Sequence, residues 1–348
     1  MNRDIQVLRC IAIIFVVFVH VGMIIPENFQ QLYKKVDSIF HNNMGVELFF
    51  VIAGYFLSHS LSKYQVPDRK NGFEKILIFS INKFKRLFLP VYFWAAIPMV
   101  MALLTRNTDL WYSPDVMIQK FLSTVAWMRD FSEAVSQNSF GYFWAVSLEM
   151  QTFLIFAAVY ILAGKRIAVA LSVVICFIMT LYRPGGEQFW WFRFDPVLFG
   201  VIAHYVLHDS IGLNRIKELT KCSKVNKAFI SSLLILCLGA TYNSLKPLTH
   251  FVSTSGSLIS CVMLMLAVSE NSFYTFLPSA INKVTTFIGD RSFSLFCCHI
   301  PSWLLVRQLF EGLQINEDYL FLAQVAGMII FTELTFKLLE IKPNKRVF

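Results

Sequence analysis

Arg9 and His20 stand in one apolar segment, with ten residues between them. That segment, residues 5–25 (IQVLRCIAIIFVVFVHVGMII), is long enough to cross a bilayer. Ionisable groups at such depth are costly, and they turn towards a polar interior. Eleven helical steps rotate about 1100°, so both side chains share one stripe to within about 20°, with Cα atoms about 16 Å apart along the axis. The stripe carries a fixed cation near one membrane face and a proton carrier near the other. A neutral imidazole takes a proton from a hydroxyl near neutral pH. A carboxylate on its second nitrogen fixes the tautomer and stabilises the imidazolium. Glu47, at the start of the second apolar segment, is near enough in the topology to be that carboxylate. Arg9 and Arg86, both near the cytoplasmic face, suit a phosphorylated ligand. Glu340, at the same depth, offers Arg9 a purely structural partner instead.

The elements that must carry these groups are membrane helices. Hydrophobic residues make up 56% of the 348, charged residues only 15%, and Phe alone occurs 35 times. Ten apolar runs predict ten spans, at 5–25, 44–62, 87–104, 142–163, 166–182, 189–208, 228–243, 249–268, 284–306 and 319–339. The stretch 116–128 is too short and carries Lys120, so it reads as an interfacial or packed helix that does not span. With the N-terminus in the cytoplasm, this count puts about twice as many Lys and Arg inside as outside. The chain therefore reads as an all-α integral membrane protein of about ten transmembrane helices with both termini cytoplasmic. It forms a single domain, 1–348, without an appended soluble module. The net charge of +9 lies in short loops between apolar runs, which excludes a nucleic-acid partner. The residues carry no signal for oligomeric state.

In this topology Glu149, Arg193, Asp195 and His299 share the outer layer with His20 and Glu47. Each has a plainer role when taken alone. His20 and His299 can be packed, hydrogen-bonded residues. Glu47 can favour a helix start, and Arg193 and Asp195 can sit at the interface beside Trp190 and Trp191. Convergence at one depth favours chemistry for the set. Most of the seven cysteines fall inside apolar runs without metal-ligand spacing, and read as small apolar filler. No Gly-x-Ser-x-Gly elbow, His-Glu-x-x-His pair or phosphate-binding glycine loop occurs. No metal is expected.

Five blocks carry a family resemblance. LRCIAIIFVVFVH holds Arg9 and His20; GVELFFVIAGYFL holds Glu47 and Ala53; KRLFLPVYFW holds Arg86. FWAVSLEMQTFL holds Trp144, Leu148 and Glu149, and FIGDRSFSLFCCHIP holds Gly289, Ser292, Phe293, Phe296 and His299. In order and spacing they resemble the integral-membrane acyltransferase family 3, bacterial acetylases that modify O-antigen, exopolysaccharide and similar glycans, with the spacing in the Arg86 block one residue longer than the family's. Glu47 stands where the family usually has Asp, Ala53 where it has Ser, Phe296 where it has Tyr, and Cys298 where Trp is common.

The resemblance implies a bacterial plasma-membrane O-acetyltransferase. Acetyl-CoA would be the acyl donor, and a glycan or lipid-linked glycan the acceptor. Arg9 and Arg86 would hold the donor. His20, Glu47, Glu149 and His299 would form the catalytic set, with His20 as general base or transient acyl carrier. A transporter or flippase of lipid-linked glycans is the alternative, since it also uses buried charges along a substrate path. The chain lacks the Pro/Gly-broken span pairs expected of one.

Overall fold

The computed structural model describes residues 2–64, 66–68, 70–136, 141–183, 191–208, 210–269, 271–275 and 277–341. Arg69, Trp190, Lys342, Lys345 and Arg346, which entered the readings above, lie outside the described residues. The fold is all helix, with no strand among the described residues. In chain order the helices are α1 (Arg3–Val21), α2 (Glu27–Asp37), α3 (Gly45–Leu61), α4 (Gly72–Thr105), α5 (Thr108–Trp111), α6 (Pro114–Val125), α7 (Arg129–Ser136) and α8 (Trp144–Ala163). Then follow α9 (Lys165–Leu181), α10 (Asp195–His208), α11 (Ser210–Leu219), α12 (Lys224–Leu245), α13 (Thr249–Val268), α14 (Ser279–Asp290), α15 (Ser292–Leu309) and α16 (Glu317–Thr335).

By length and composition, α1, α4, α8, α12, α13 and α16 can each cross a membrane, and α10 with α11, bent by 92°, passes as a pair. Over the described residues the ten expected spans fall on helices, one of them on two, but this criterion does not reach ten. Helices α3 and α9 have 17 residues each. Helix α15 carries Ser294, His299, Pro301 and Ser302 in its interior. A helix shielded from lipid by its neighbours need not be apolar all round. The expected span 284–306 is two helices, broken at Arg291. The expected non-spanning stretch 116–128 is α6, whose 12 residues reach about 18 Å. Lys120 on it is buried, with Nζ 2.8 Å from Glu133 Oε1.

Two revisions matter for the site. Helix α4 begins at Gly72, fifteen residues ahead of the expected span, and its 34 residues extend about 51 Å. Lys83 and Arg86, expected in a loop, are therefore one turn apart on one face of a helix. Helices α3 and α10 cross at backbone contact. A Cβ on Gly54 would lie 1.9 Å from the Val197 carbonyl oxygen, and one on Gly200 would lie 2.0 Å from that of Val51. Small residues at a crossing allow such approach inside a membrane. Likewise α14 meets α1 where Gly289 faces the Gln6 backbone. These crossings clamp α1, α3 and α10 side by side.

The topology makes one prediction. Single cysteines at Lys70 and Lys221 should be modified by an impermeant maleimide only from the cytoplasmic side, and one at Lys35 only from outside. Labelling of position 221 from outside would overturn the orientation.

Candidate active site

His20 lies in the last turn of α1, half-buried. Its Nδ1 is 2.8 Å from the Val16 carbonyl oxygen, which can only accept. Nδ1 therefore carries the proton of the neutral ring, and Nε2 keeps its lone pair. No hydrogen bond reaches Nε2 among the described residues. The carbonyl end of α1 suits a cation formed here.

The group facing His20 is His299. Its Nε2 lies 3.4 Å from His20 Nδ1, and its own Nδ1–H donates to the Phe296 carbonyl at 2.8 Å. His299 is fully buried at the middle of α15, among Tyr142, Phe296 and Trp303. The local sequence explains this setting. Pro301 has no N–H, so the carbonyl of Cys297 loses its helical partner. The Tyr142 hydroxyl donates to that carbonyl at 3.0 Å, which holds the Tyr142 ring 5.1 Å from the His299 ring.

Glu47 does not orient His20, contrary to the sequence reading. It is buried, and its Oε1 accepts from Arg193 Nη1 at 2.6 Å. The Arg193 guanidinium also lies 4.9 Å from the centre of the Trp144 ring. Beside this pair, Arg183 grips Asp195 through both oxygens, at 2.6 and 3.1 Å. Arg193 and Asp195 are thus interior ion-pair residues, not interfacial ones. A charge buried inside a bundle needs a partner, and the segment just before α10 presents the Arg193 guanidinium to Glu47 of α3.

Glu149 is not with the histidines either. It lines a cavity of about 250 Å³ with Arg9, Lys83, Arg86 and Ser292. The cavity runs along α3 from Val46 to Ser60, a rise of about 21 Å. Phenylalanines at 49, 50, 56, 153, 293 and 296 form its apolar walls. Arg9 makes one hydrogen bond, to Gln6 Oε1 at 3.5 Å, and is not paired with Glu340, which accepts from Ser294 instead. Among the described residues, neither Arg9, Lys83 nor Arg86 has a carboxylate within salt-bridge distance. The Ser292 hydroxyl is fully buried without a hydrogen-bond partner. Phe296 stands between the two sites, lining the cavity one helical turn from His299.

The structure thus joins Arg9 to Arg86 and His20 to His299, and separates Glu47 and Glu149 from the imidazoles. The sequence reading missed Lys83, Ser292 and the role of Arg193. Lys83 was legible as the residue one turn before Arg86 once α4 was extended. Pairing between Glu47 and Arg193, 146 positions apart, had no local signal. No group of three or more metal-binding side chains occurs among the described residues.

The sequence profile of acyltransferase family 3, described as an acyltransferase domain, matches residues 2–335. The chain belongs to this family. It is therefore a multi-pass membrane acyltransferase. Over 335 residues it is 24% identical to the peptidoglycan O-acetyltransferase OatA of Listeria monocytogenes, covering 88% of this chain and 52% of that protein. A Staphylococcus aureus protein provisionally named an O-acetyltransferase is 24% identical over 319 residues, covering 85% of this chain and 52% of its own length. The chain spans about half the length of these curated relatives. No solved structure matches it.

Proposed function

We propose that the chain transfers an acetyl group from acetyl-CoA to a hydroxyl of a cell-surface glycan or its lipid-linked precursor, in a bacterial plasma membrane. The observation that carries this reading is the cavity lined by three cations and a single carboxylate, Glu149, which is not within salt-bridge distance of any of them among the described residues. Arg9, Lys83 and Arg86 outnumber that one carboxylate in the lining, and a cleft with a surplus of one sign of charge attracts a ligand of the other, so the three call for an anionic ligand. The phosphates of acetyl-CoA supply that charge, and the phenylalanine walls suit its long uncharged arm. Ser292 adds a hydroxyl donor. In this reading the thioester end passes Phe296 towards His20. The glycan acceptor is the class of substrate named for OatA.

The chemistry then follows from the imidazole geometry. His20 Nε2 takes the proton of the acceptor hydroxyl as its oxygen attacks the thioester carbonyl. The C–O bond forms, the C–S bond breaks, and the departing thiolate recovers the proton from His20. Val16 and His299 accept from Nδ1–H throughout, so the ring cannot turn its other nitrogen to the substrate. In an acyl-carrier route Nε2 would attack the thioester itself. Acetyl label retained on the protein after acid quenching distinguishes that route.

Release of free thiol from acetyl-CoA by the purified protein tests the reading. For the donor site, a charge-assisted hydrogen bond is worth about 1.5–3 kcal/mol, roughly ten- to hundredfold in affinity. Arg9→Ala should weaken acetyl-CoA binding on that scale. Arg9→Lys, which keeps the charge but loses the planar fork, should be partly impaired. Unchanged affinity in both folded variants would give Arg9 a structural role only.

A further inference from the structure

Helix α2 follows α1 after a break at Pro26 and folds back against its end. The Tyr33 hydroxyl donates to the carbonyls of Val19 and Phe18 at 3.2 and 3.4 Å, and its ring fills the space above Gly22. Gln30 donates to the carbonyls of Ile25 and Gly22 at 2.9 and 3.4 Å. At the other end, the Glu27 amide donates to Glu317 and the Asn28 side-chain amide to Asp318, both in the first turn of α16. These contacts pin α2 at the level where two membrane-spanning helices end.

One face of α2 has no such contacts. Phe29, Leu32 and Val36 fall within about 60° of each other at 100° per residue. They are 52%, 60% and 38% exposed, and Ile39 in the following turn is 55% exposed. Glu27, Gln31, Lys34 and Lys35 occupy the opposite half of the wheel, while Tyr33 and Gln30 hold the edge bound to α1. The apolar stripe therefore lies about a quarter turn from the face that meets the bundle. Met23, in the turn between α1 and α2, is exposed as well.

We infer that α2 is an in-plane interfacial helix whose stripe of Phe29, Leu32, Val36 and Ile39 rests in the lipid surface at the His20 end of the bundle. A short helix with one apolar and one charged face lies in the headgroup region with that face buried about 5–10 Å. Three features favour lipid as the occupant: the level of α2 at the ends of α1 and α16, the exposed Met23 in the turn that leads into it, and the charged residues on its far side. A lipid-seated α2 tied to Val19 and Phe18 would also brace the last turn of α1, next to His20. This inference is independent of the acetyl-transfer reading.

The test uses the full-length protein in phospholipid nanodiscs. The accessible Cys222 and Cys237 are replaced by serine, and single cysteines at Phe29, Leu32, Val36, Gln31 or Lys35 carry an environment-sensitive fluorophore. Lipids spin-labelled high on the acyl chain should quench positions 29, 32 and 36 roughly twofold or more, while aqueous iodide quenches 31 and 35. Iodide quenching of both sets alike would put the stripe in solution and overturn the inference. Protection of 29, 32 and 36 from both quenchers, with cross-linking between two copies, would assign the stripe to a protein interface and overturn it equally.

Discussion

His20→Asn should lower acetyl transfer by about 10²–10⁴-fold, the contribution typical of a positioned general base. Asparagine keeps polarity and hydrogen-bonding capacity but supplies no basic nitrogen. The native ring meets Val16 and His299 through Nδ1 alone, which leaves Nε2 free to act. Acetyl-CoA affinity should stay near the native value, because the cavity cations lie beyond Phe296. His299→Gln should cost less, since it removes an acceptor that orients His20 and not the base itself. Steady-state thiol release, with acetyl-CoA binding measured in parallel, checks all three points. A well-folded His20→Asn protein with near-native turnover would end the assignment of His20 as base or carrier. Glu149 and His299 would then be the next residues to test.

Arg193→Met should destabilise the fold by about 3–5 kcal/mol, the usual effect of removing one partner of a buried ion pair. It would leave the Glu47 carboxylate enclosed without its cation, and it would remove the guanidinium packed on Trp144. Glu47→Leu should be damaging for the mirror reason. The double variant Glu47→Leu with Arg193→Met should be more stable than either single one, because no unpaired charge remains. Thermal unfolding of detergent-solubilised protein, followed by size-exclusion chromatography, reads these differences. Turnover of the surviving folded fraction separates the two roles that Glu47 can play. A structural partner of Arg193 predicts lost stability with moderate turnover loss in Glu47→Gln. Unchanged melting with turnover abolished would place Glu47 in the chemistry despite its distance from His20.

Much of the architecture was legible in the sequence, for a simple physical reason. A helix that crosses hydrocarbon must be long and largely apolar, so each span leaves a local record in the chain. The stripe of Arg9 and His20 was equally local, since helical geometry fixes their relative direction without any partner. The family blocks around Arg9, Glu47, Glu149 and His299 also lie in contiguous stretches. The start of α4 was missed because its first turns carry Lys75, Lys83 and Lys85, which read as loop by charge and not by helical periodicity.

Pairing across helices was decided by tertiary structure alone. Depth along each span suggested one polar layer containing His20, Glu47, Glu149 and His299. Depth says nothing about the direction in which a side chain points around its helix axis. That direction follows from the packing of glycines 54, 200 and 289 against neighbouring backbones. Once α3 and α10 cross so closely, Arg193 is the cation nearest Glu47, and the carboxylate is drawn away from His20. Helix α8 then presents Glu149 to Arg9, Lys83 and Arg86, and Pro301 frees the Cys297 carbonyl that seats Tyr142 against His299. The sequence supplied the charged residues and the depth of each, while the helix crossings determined which of them meet.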